Sequence, residues 1–248
     1  MLLRKSAAAA EAANKAQSAF LFNMSHDIRT PMNAIVGLTT LLEHEIHEPE
    51  KLQLHIQKIQ NSSQHLLGLI NDILDMSKIE SSEVKLNEDP VDLMEQVAQI
   101  DSIIRPQAEE RGQEFKIHVH GIDHGHLLGD SVRLRQIFIN LLSNAVKYTP
   151  ENGNIKIYVG FVYNDAYIKV IDNGIGIPEE DLVRIFERFY RVDKARTRQM
   201  GGTGLGLSIA KEILDRNNGS IDIKSEPQKG TEVVIRIPTI KQNHLEKE

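Results

Sequence analysis

Two runs of hydrophobic residues at alternating steps of three and four fill the first third of the chain. Leu21, Met24, Ile28, Pro31, Ile35, Leu38 and Leu42 form one run, and Leu52, Ile56, Ile59, Ser63, Leu66, Ile70, Ile73 and Ser77 the other. Such steps lay one seam along each helix, and each seam needs a partner to cover it. The polar break at His47–Glu50 is short, which predicts antiparallel neighbours. One hairpin has little core of its own, so two are expected to pair as a four-helix bundle, making the protein a homodimer.

From about Val84 the period changes. Val91–Arg111, Ser131–Tyr148, Leu182–Phe189 and Leu205–Arg216 read as helices, the second capped by Asp130. Phe115–His120, Ile155–Val162, Ala166–Ile171, Ser220–Lys224 and Val233–Ile237 alternate or run apolar like strands. Helices and strands mix without a βαβ rhythm, which predicts an α+β sandwich with a mixed sheet. The expected organisation is multidomain: an all-α antiparallel helical hairpin over 19–80, a linker over 81–90 inside the joint Ile79–Pro90, the sandwich over 91–240, and a tail over 241–248. Residues 1–18 open inside a helical pattern, as though a longer helix precedes them.

Composition narrows the chemistry. A net charge of −6 in 248 residues lacks the basic excess of a nucleic-acid surface, so no nucleic-acid partner is expected. With no cysteine, disulfide frameworks and thiolate metal sites are excluded. No run approaches the roughly 18 apolar residues of a membrane span.

Four clusters carry candidate chemistry. His26 falls off the first seam and faces water, followed by Asp27, Arg29, Thr30 and Pro31. A neutral imidazole can attack phosphorus. Asp27 could take its proton or hold its tautomer. Adjacent helix residues do not face each other, so that contact needs a suitable rotamer or a distortion, for which Pro31 is one cause. Thr30, one turn on, could position a water, or be a mere surface threonine. In Asn140–Tyr148, Asn140, Asn144 and Lys147 share one helix face. Amide oxygens suit Mg²⁺, Lys147 suits phosphate, and Tyr148 can pack on a base. Taken alone, they could simply cap and solvate a helix end.

Asp172-Asn173-Gly174-Ile175-Gly176 follows a strand. Its aspartate could accept from an exocyclic amine such as adenine's, although Asp-Asn-Gly is also an ordinary turn. Gly201–Leu207 runs into a helix, where backbone N–H groups face an anion. It is neither a Walker nor a Rossmann pattern. Between these two lie Phe186, Phe189, Tyr190 and Arg191, then the basic loop with Lys194, Arg196 and Arg198. That loop could close over phosphates or be a solvated charge run.

The order and spacing of these boxes, from about Ala16 to Pro238, resemble the sensor histidine kinases of bacterial two-component systems. The resemblance implies a dimerisation and histidine-phosphotransfer hairpin followed by a gyrase-like ATP-binding domain, with ATP and Mg²⁺ as cofactors. It implies His26 as phosphoacceptor, Asp27 as acid/base partner, and Arg191 beside the transferred phosphoryl group. Asn140 and Asn144 would serve Mg²⁺ and phosphates, with Lys147 on phosphate and Tyr148 beside the nucleotide. Asp172 would read the adenine amine in a pocket shaped by Gly174 and Gly176. Gly202, Thr203, Gly204, Leu205 and Gly206 would frame the phosphates. Position 27 is Asp where many relatives have Glu.

The resemblance further implies transfer from His26 to an aspartate of a response-regulator receiver domain, and possible phosphatase activity towards it. It places this stretch on the cytoplasmic side of a sensor whose membrane anchor would lie upstream. Three other readings stay open. A gyrase-type or mismatch-repair ATPase would carry a glutamate base where Asn140 stands. An anti-sigma serine kinase would lack the His26 hairpin. A signalling scaffold or phosphatase would use ATP only as a conformational ligand.

Overall fold

The computed structural model describes residues 24–43, 45, 48–80, 89–121, 126–163, 165–192 and 202–238. These fall into two compact units, one holding 24–75 and 202–205, the other 76–192 and 206–238. Leu21, Gly201 and the basic positions Lys194, Arg196 and Arg198 lie outside the described residues.

In the first unit, α1 spans 24–43 and α2 begins at Pro49, running on to Glu80 past the unit's end at Asp75. Proline at the first helical position of α2 gives up an N–H that would have had no partner there. At the tip, His55 Nε2 meets Glu45 Oε2 at 2.7 Å and Lys51 Nζ donates to Glu48 at 3.0 Å. These contacts staple the connection to the start of α2. The seam residues Ile28, Ile35, Leu38, Leu42 and Leu52 are half-buried, and Pro31 is buried. Met32, Val36, Leu41, Leu54, Ile56, Leu67, Ile70 and Leu74 are exposed.

The second unit is an α/β sandwich. Strand β1 (Asp89–Asp92) pairs antiparallel with β3 (His126–Gly129). A five-stranded mixed sheet runs in the order β2 (Glu114–His120), β4 (Asn154–Val162), β5 (Asp165–Asp172), β7 (Gly230–Pro238), β6 (Ser220–Glu226). The β2–β4 pair is parallel and the other three are antiparallel. Alternation sets the faces. The rows Ile117–Ile157–Val170–Val233–Ile223 and Val119–Val159–Ile168–Ile235–Ile221 cross the sheet in register. Their central members, from β4, β5 and β7, are buried. Helices α3 (Leu93–Glu110), α4 (Ser131–Tyr148) and α6 (Gly206–Arg216) pack on β2, β5 and β6 respectively, and α4 touches both other helices. A one-turn helix, α5, spans Glu179–Leu182.

Two expected elements differ. The helix expected from Val91 begins at Leu93, because Asp92 caps it by accepting from the N–H groups of Met94 and Glu95. Val91, with Asp89 and Pro90, is in β1 instead. The helix expected over Leu182–Phe189 is absent. Phe189 sits at φ 60°, in the left-handed region, which ends any right-handed helix there. The Tyr190 hydroxyl bonds Asp181, and Arg184 stacks 4.2 Å from the Tyr190 ring centroid. The segment thus folds as a turn tied back onto α5. Asp130 caps α4 as expected, accepting from the N–H groups of Val132 and Arg133.

Candidate functional site

On α1, the His26 side chain is 46% exposed and its Nδ1 lies 3.2 Å from Asp27 Oδ1. A carboxylate only accepts, so in the neutral ring Nδ1 carries the proton and Nε2 keeps its lone pair. The contact forms although the two residues are adjacent, and α1 continues through Pro31. The Asp27 rotamer is therefore sufficient without a break in the helix. Thr30 Oγ1 donates to the His26 carbonyl at 3.1 Å. That bond commits its proton to the helix backbone, leaving the hydroxyl oxygen as an acceptor on the same face as His26.

In the second unit, parity places Asp172. It follows Ala166, Ile168 and Val170 on the helix-covered face of β5, at the strand's end. Burial therefore pushes its carboxyl above the usual range, opposed by backbone N–H groups of Gly174 and Thr231 that it accepts from. The turn beyond it presses against the end of α4. Ile175 N–H donates to the Tyr148 carbonyl at 3.2 Å. A Cβ on Gly174 would stand 2.6 Å from that same oxygen, so only glycine admits the approach. Gly176 has φ 67°, and a Cβ there would meet the Glu226 carbonyl at 2.0 Å.

Helix α4 presents Asn140, Asn144, Lys147 and Tyr148, all partly accessible. Asn140 Nδ2 donates to the Gly206 carbonyl at 3.0 Å, which turns α4 towards the start of α6. That bond uses the amide nitrogen and leaves the Asn140 Oδ1, a hard oxygen suited to Mg²⁺, as the remaining acceptor. Lys147 Nζ lies 5.1 Å from the Tyr148 ring centroid. Burial, and then the neighbouring Arg191 guanidinium, push the Lys147 ammonium down to about 8. Two cations held together against desolvation make a local excess of positive charge suited to a polyanion. Asp172, Gly174, Gly176, Asn140, Asn144, Lys147, Tyr148, Arg191 and Gly206 thus belong to one unit, and His26, Asp27, Thr30, Gly202, Thr203, Gly204 and Leu205 to the other.

Sequence reading missed two supports of this site. Gln113 Nε2 donates to the carbonyls of Val146 and Thr149 at 2.9 and 2.8 Å, and Arg111 Nη1 to those of Val146 and Lys147 at 2.9 and 3.3 Å. These two side chains satisfy the orphan carbonyls at the end of α4. Ser225 Oγ accepts from Ile177 N–H at 2.8 Å and donates to the Gly230 carbonyl at 2.9 Å, clasping the glycine turn to the β6–β7 hairpin. No sequence signal marks Gln113 or Arg111. The Gly230-Thr231 pair opening β7 does hint at a close approach.

Comparison with known proteins matches both parts. The model described as the His Kinase A (phospho-acceptor) domain matches residues 16–82, and that of the histidine kinase-, DNA gyrase B- and HSP90-like ATPase matches residues 129–241. The autoinducer 2 sensor kinase/phosphatase LuxQ of Vibrio vulnificus is 39% identical over 238 residues, covering 94% of this chain and 28% of LuxQ. The signal transduction histidine-protein kinase BarA of Escherichia coli is 36% identical, covering 90% of this chain and 24% of BarA. The chain thus spans roughly a quarter of the length of these curated relatives. Among solved structures, full-length ShkA in complex with AMPPNP superposes with a TM-score of 0.66 at 30% identity, covering 90% of this chain and 45% of that one. Histidine kinase ThkA in complex with response regulator protein TrrA superposes with a TM-score of 0.73 at 25% identity, covering 94% and 65%.

Proposed function

Since the chain belongs to the sensor histidine kinases, with their phosphoacceptor and ATPase domains in order, we propose that it uses ATP to phosphorylate its own His26 and passes the phosphoryl group to an aspartate of a response-regulator receiver domain. The observation that carries this is the exposed His26 imidazole with Nδ1 engaged by Asp27. It leaves Nε2 as a nucleophile on a chain that also holds a cationic, glycine-lined cradle.

The residues divide the work. Asp172 accepts from the adenine amine, and Gly174 and Gly176 let the backbone close around the base. Lys147 and Arg191 offset phosphate charge, and Tyr148 flanks the nucleotide. Gly202, Thr203, Gly204, Leu205 and Gly206 supply the turn and helix start that face the phosphates. Asn140 and Asn144 would hold Mg²⁺ through amide oxygens, the ion offsetting phosphate charge when bound. The Nε2–P bond forms as the bond from phosphorus to the β–γ bridging oxygen breaks, and ADP leaves with that electron pair. Asp27 stabilises the imidazolium that results. Positioning and charge neutralisation do most of the catalysis, as in other phosphoryl transfers.

The exposed apolar side chains of the hairpin, Met32 to Leu74, support a homodimer whose second hairpin covers them. The ThkA–TrrA complex supports a receiver-domain partner. Thr30, one turn from His26, fits a phosphatase role by accepting from a water. Membrane attachment would come from an upstream sensor region. Among the described residues no helix is long and apolar enough to cross a membrane.

Incubation with γ-labelled ATP and Mg²⁺ tests the proposal. An acid-labile, base-stable label that His26→Ala loses, and that moves to a receiver domain, is the expected result. No label on a chain that binds nucleotide would favour a scaffold instead.

A further inference from the structure

One hydroxyl of the glycine-rich stretch finds its partner far away in the chain. Thr203 Oγ1 donates to Asp72 Oδ2 of α2 at 2.6 Å, and accepts from the Leu205 N–H at 3.2 Å. Both residues belong to the first compact unit. A hydroxyl has one proton. Giving it to a carboxylate turns the lone pairs of Oγ1 towards the backbone, and the bond to Leu205 N–H closes a short turn over 203–205. Within that turn Gly204 sits at φ 71° and the Leu205 side chain is fully buried. The next residue, Gly206, opens α6. The direction in which a helix's first, unpaired N–H groups point is set by the residues just before it.

Asp72 is costly where it stands. Burial pushes its carboxyl up, Asp75 adds to the rise, and only the Thr203 hydroxyl and His65 oppose it. A helix carboxylate with no task would turn to water. This one is half-buried and holds a side chain 131 positions away.

We propose that Asp72 is a positioning residue for nucleotide binding: it orients Thr203, and through Thr203 the turn that precedes α6. The inference rests on residues 202–206 facing phosphate. It gives Asp72, acting through Thr203, a part in nucleotide affinity that His26 and Asp27 do not have.

A mutant cycle in the full chain tests it, with ADP as probe in titration calorimetry. Asp72→Ala should raise the dissociation constant about tenfold, the usual worth of a hydrogen bond to a charged group. In a Thr203→Val background Asp72→Ala should change nothing further. Thr203→Ser should restore the coupling. Labelling of His26 at saturating ATP should stay near the parent rate, which separates positioning from general damage. Equal affinities for the parent and Asp72→Ala, or the same loss in the Thr203→Val background, would overturn the inference. If Asp72→Ala lost its helical circular dichroism, the Thr203→Val and Thr203→Ser pair would decide: equal affinities would refute it. A parent chain that bound no ADP would instead refute the nucleotide reading, and this inference with it.

Discussion

His26 Nδ1 and Asp27 Oδ1 stand 3.2 Å apart on one turn of α1, adjacent in sequence and in contact in space. The contact fixes which ring nitrogen is free. Replacing Asp27 by Ala should cut the rate of His26 labelling by about 10²–10⁴-fold, the range for a lost acid–base partner. The nucleotide dissociation constant should not move. Asp27→Asn should keep the ring orientation yet lose the charge, and fall between the two. Initial rates at saturating ATP measure this, and an unchanged rate in Asp27→Ala would remove Asp27 from the chemistry.

Asp172 should govern base recognition. Its carboxylate is the acceptor at the end of β5, already ordered by Gly174 N–H at 2.8 Å. Asp172→Asn swaps part of that acceptor for a donor. It should weaken ATP binding by about tenfold or more, from the loss of a hydrogen bond to a charged group. GTP, with a carbonyl where adenine has its amine, should bind the parent weakly and should not weaken in parallel. A fluorescent-nucleotide competition assay reads both.

Lys147 sets a pH dependence. With its ammonium pushed down to about 8 from an ordinary 10.5, the cation is present below that pH and is lost above it. A phosphate bound beside it should raise the value again, so binding should take up a proton. Nucleotide affinity should therefore decline as pH rises past about 8, by up to about tenfold per pH unit. Lys147→Arg should flatten the decline. Folding stability has the opposite sign: the unfolded chain binds more protons between about 8 and 10.5, so this group's contribution rises with pH across that window. Affinity and denaturation measured over the same buffers separate the two effects.

Gln113 should matter to stability more than its anonymity suggests. Its buried amide serves the carbonyls of Val146 and Thr149. Gln113→Leu strands the Thr149 carbonyl, while that of Val146 keeps Arg111, and should cost about 1–3 kcal/mol in a denaturant titration, the usual range for one orphaned buried group. Asp130→Ala, which removes only an N-cap, should cost about 1 kcal/mol.

How far the sequence could be read follows from where the stabilising contacts come from. The 3.6-residue period of 131–148 and the short acceptor at Asp130 are local signals, and α4 forms as they predict. The strands of the main sheet also read directly, because Ile155, Ile157, Ile168, Val170, Val233 and Ile235 alternate onto one buried face. Strand β1 does not read. Its one apolar residue is Val91, and its existence depends on pairing with 126–129, some 35 residues later. The turn at Phe189 is held by Tyr190 on Asp181, again a contact and not a propensity. Among the candidate residues, His26, Asp172 and the glycines announce themselves by residue type. Gln113, Arg111 and Asp72 act through long-range hydrogen bonds, for which a single sequence holds no period or motif.

In the proposed reaction the free nitrogen of His26 takes the terminal phosphoryl group of ATP. The most direct measurement is phosphorus NMR of the labelled chain, assigned to a ring position with the Asp27-bound nitrogen as reference. A phosphoramidate on His26 Nε2 is the expected result. Phosphorus on Nδ1, or on another residue with His26 intact, would contradict it.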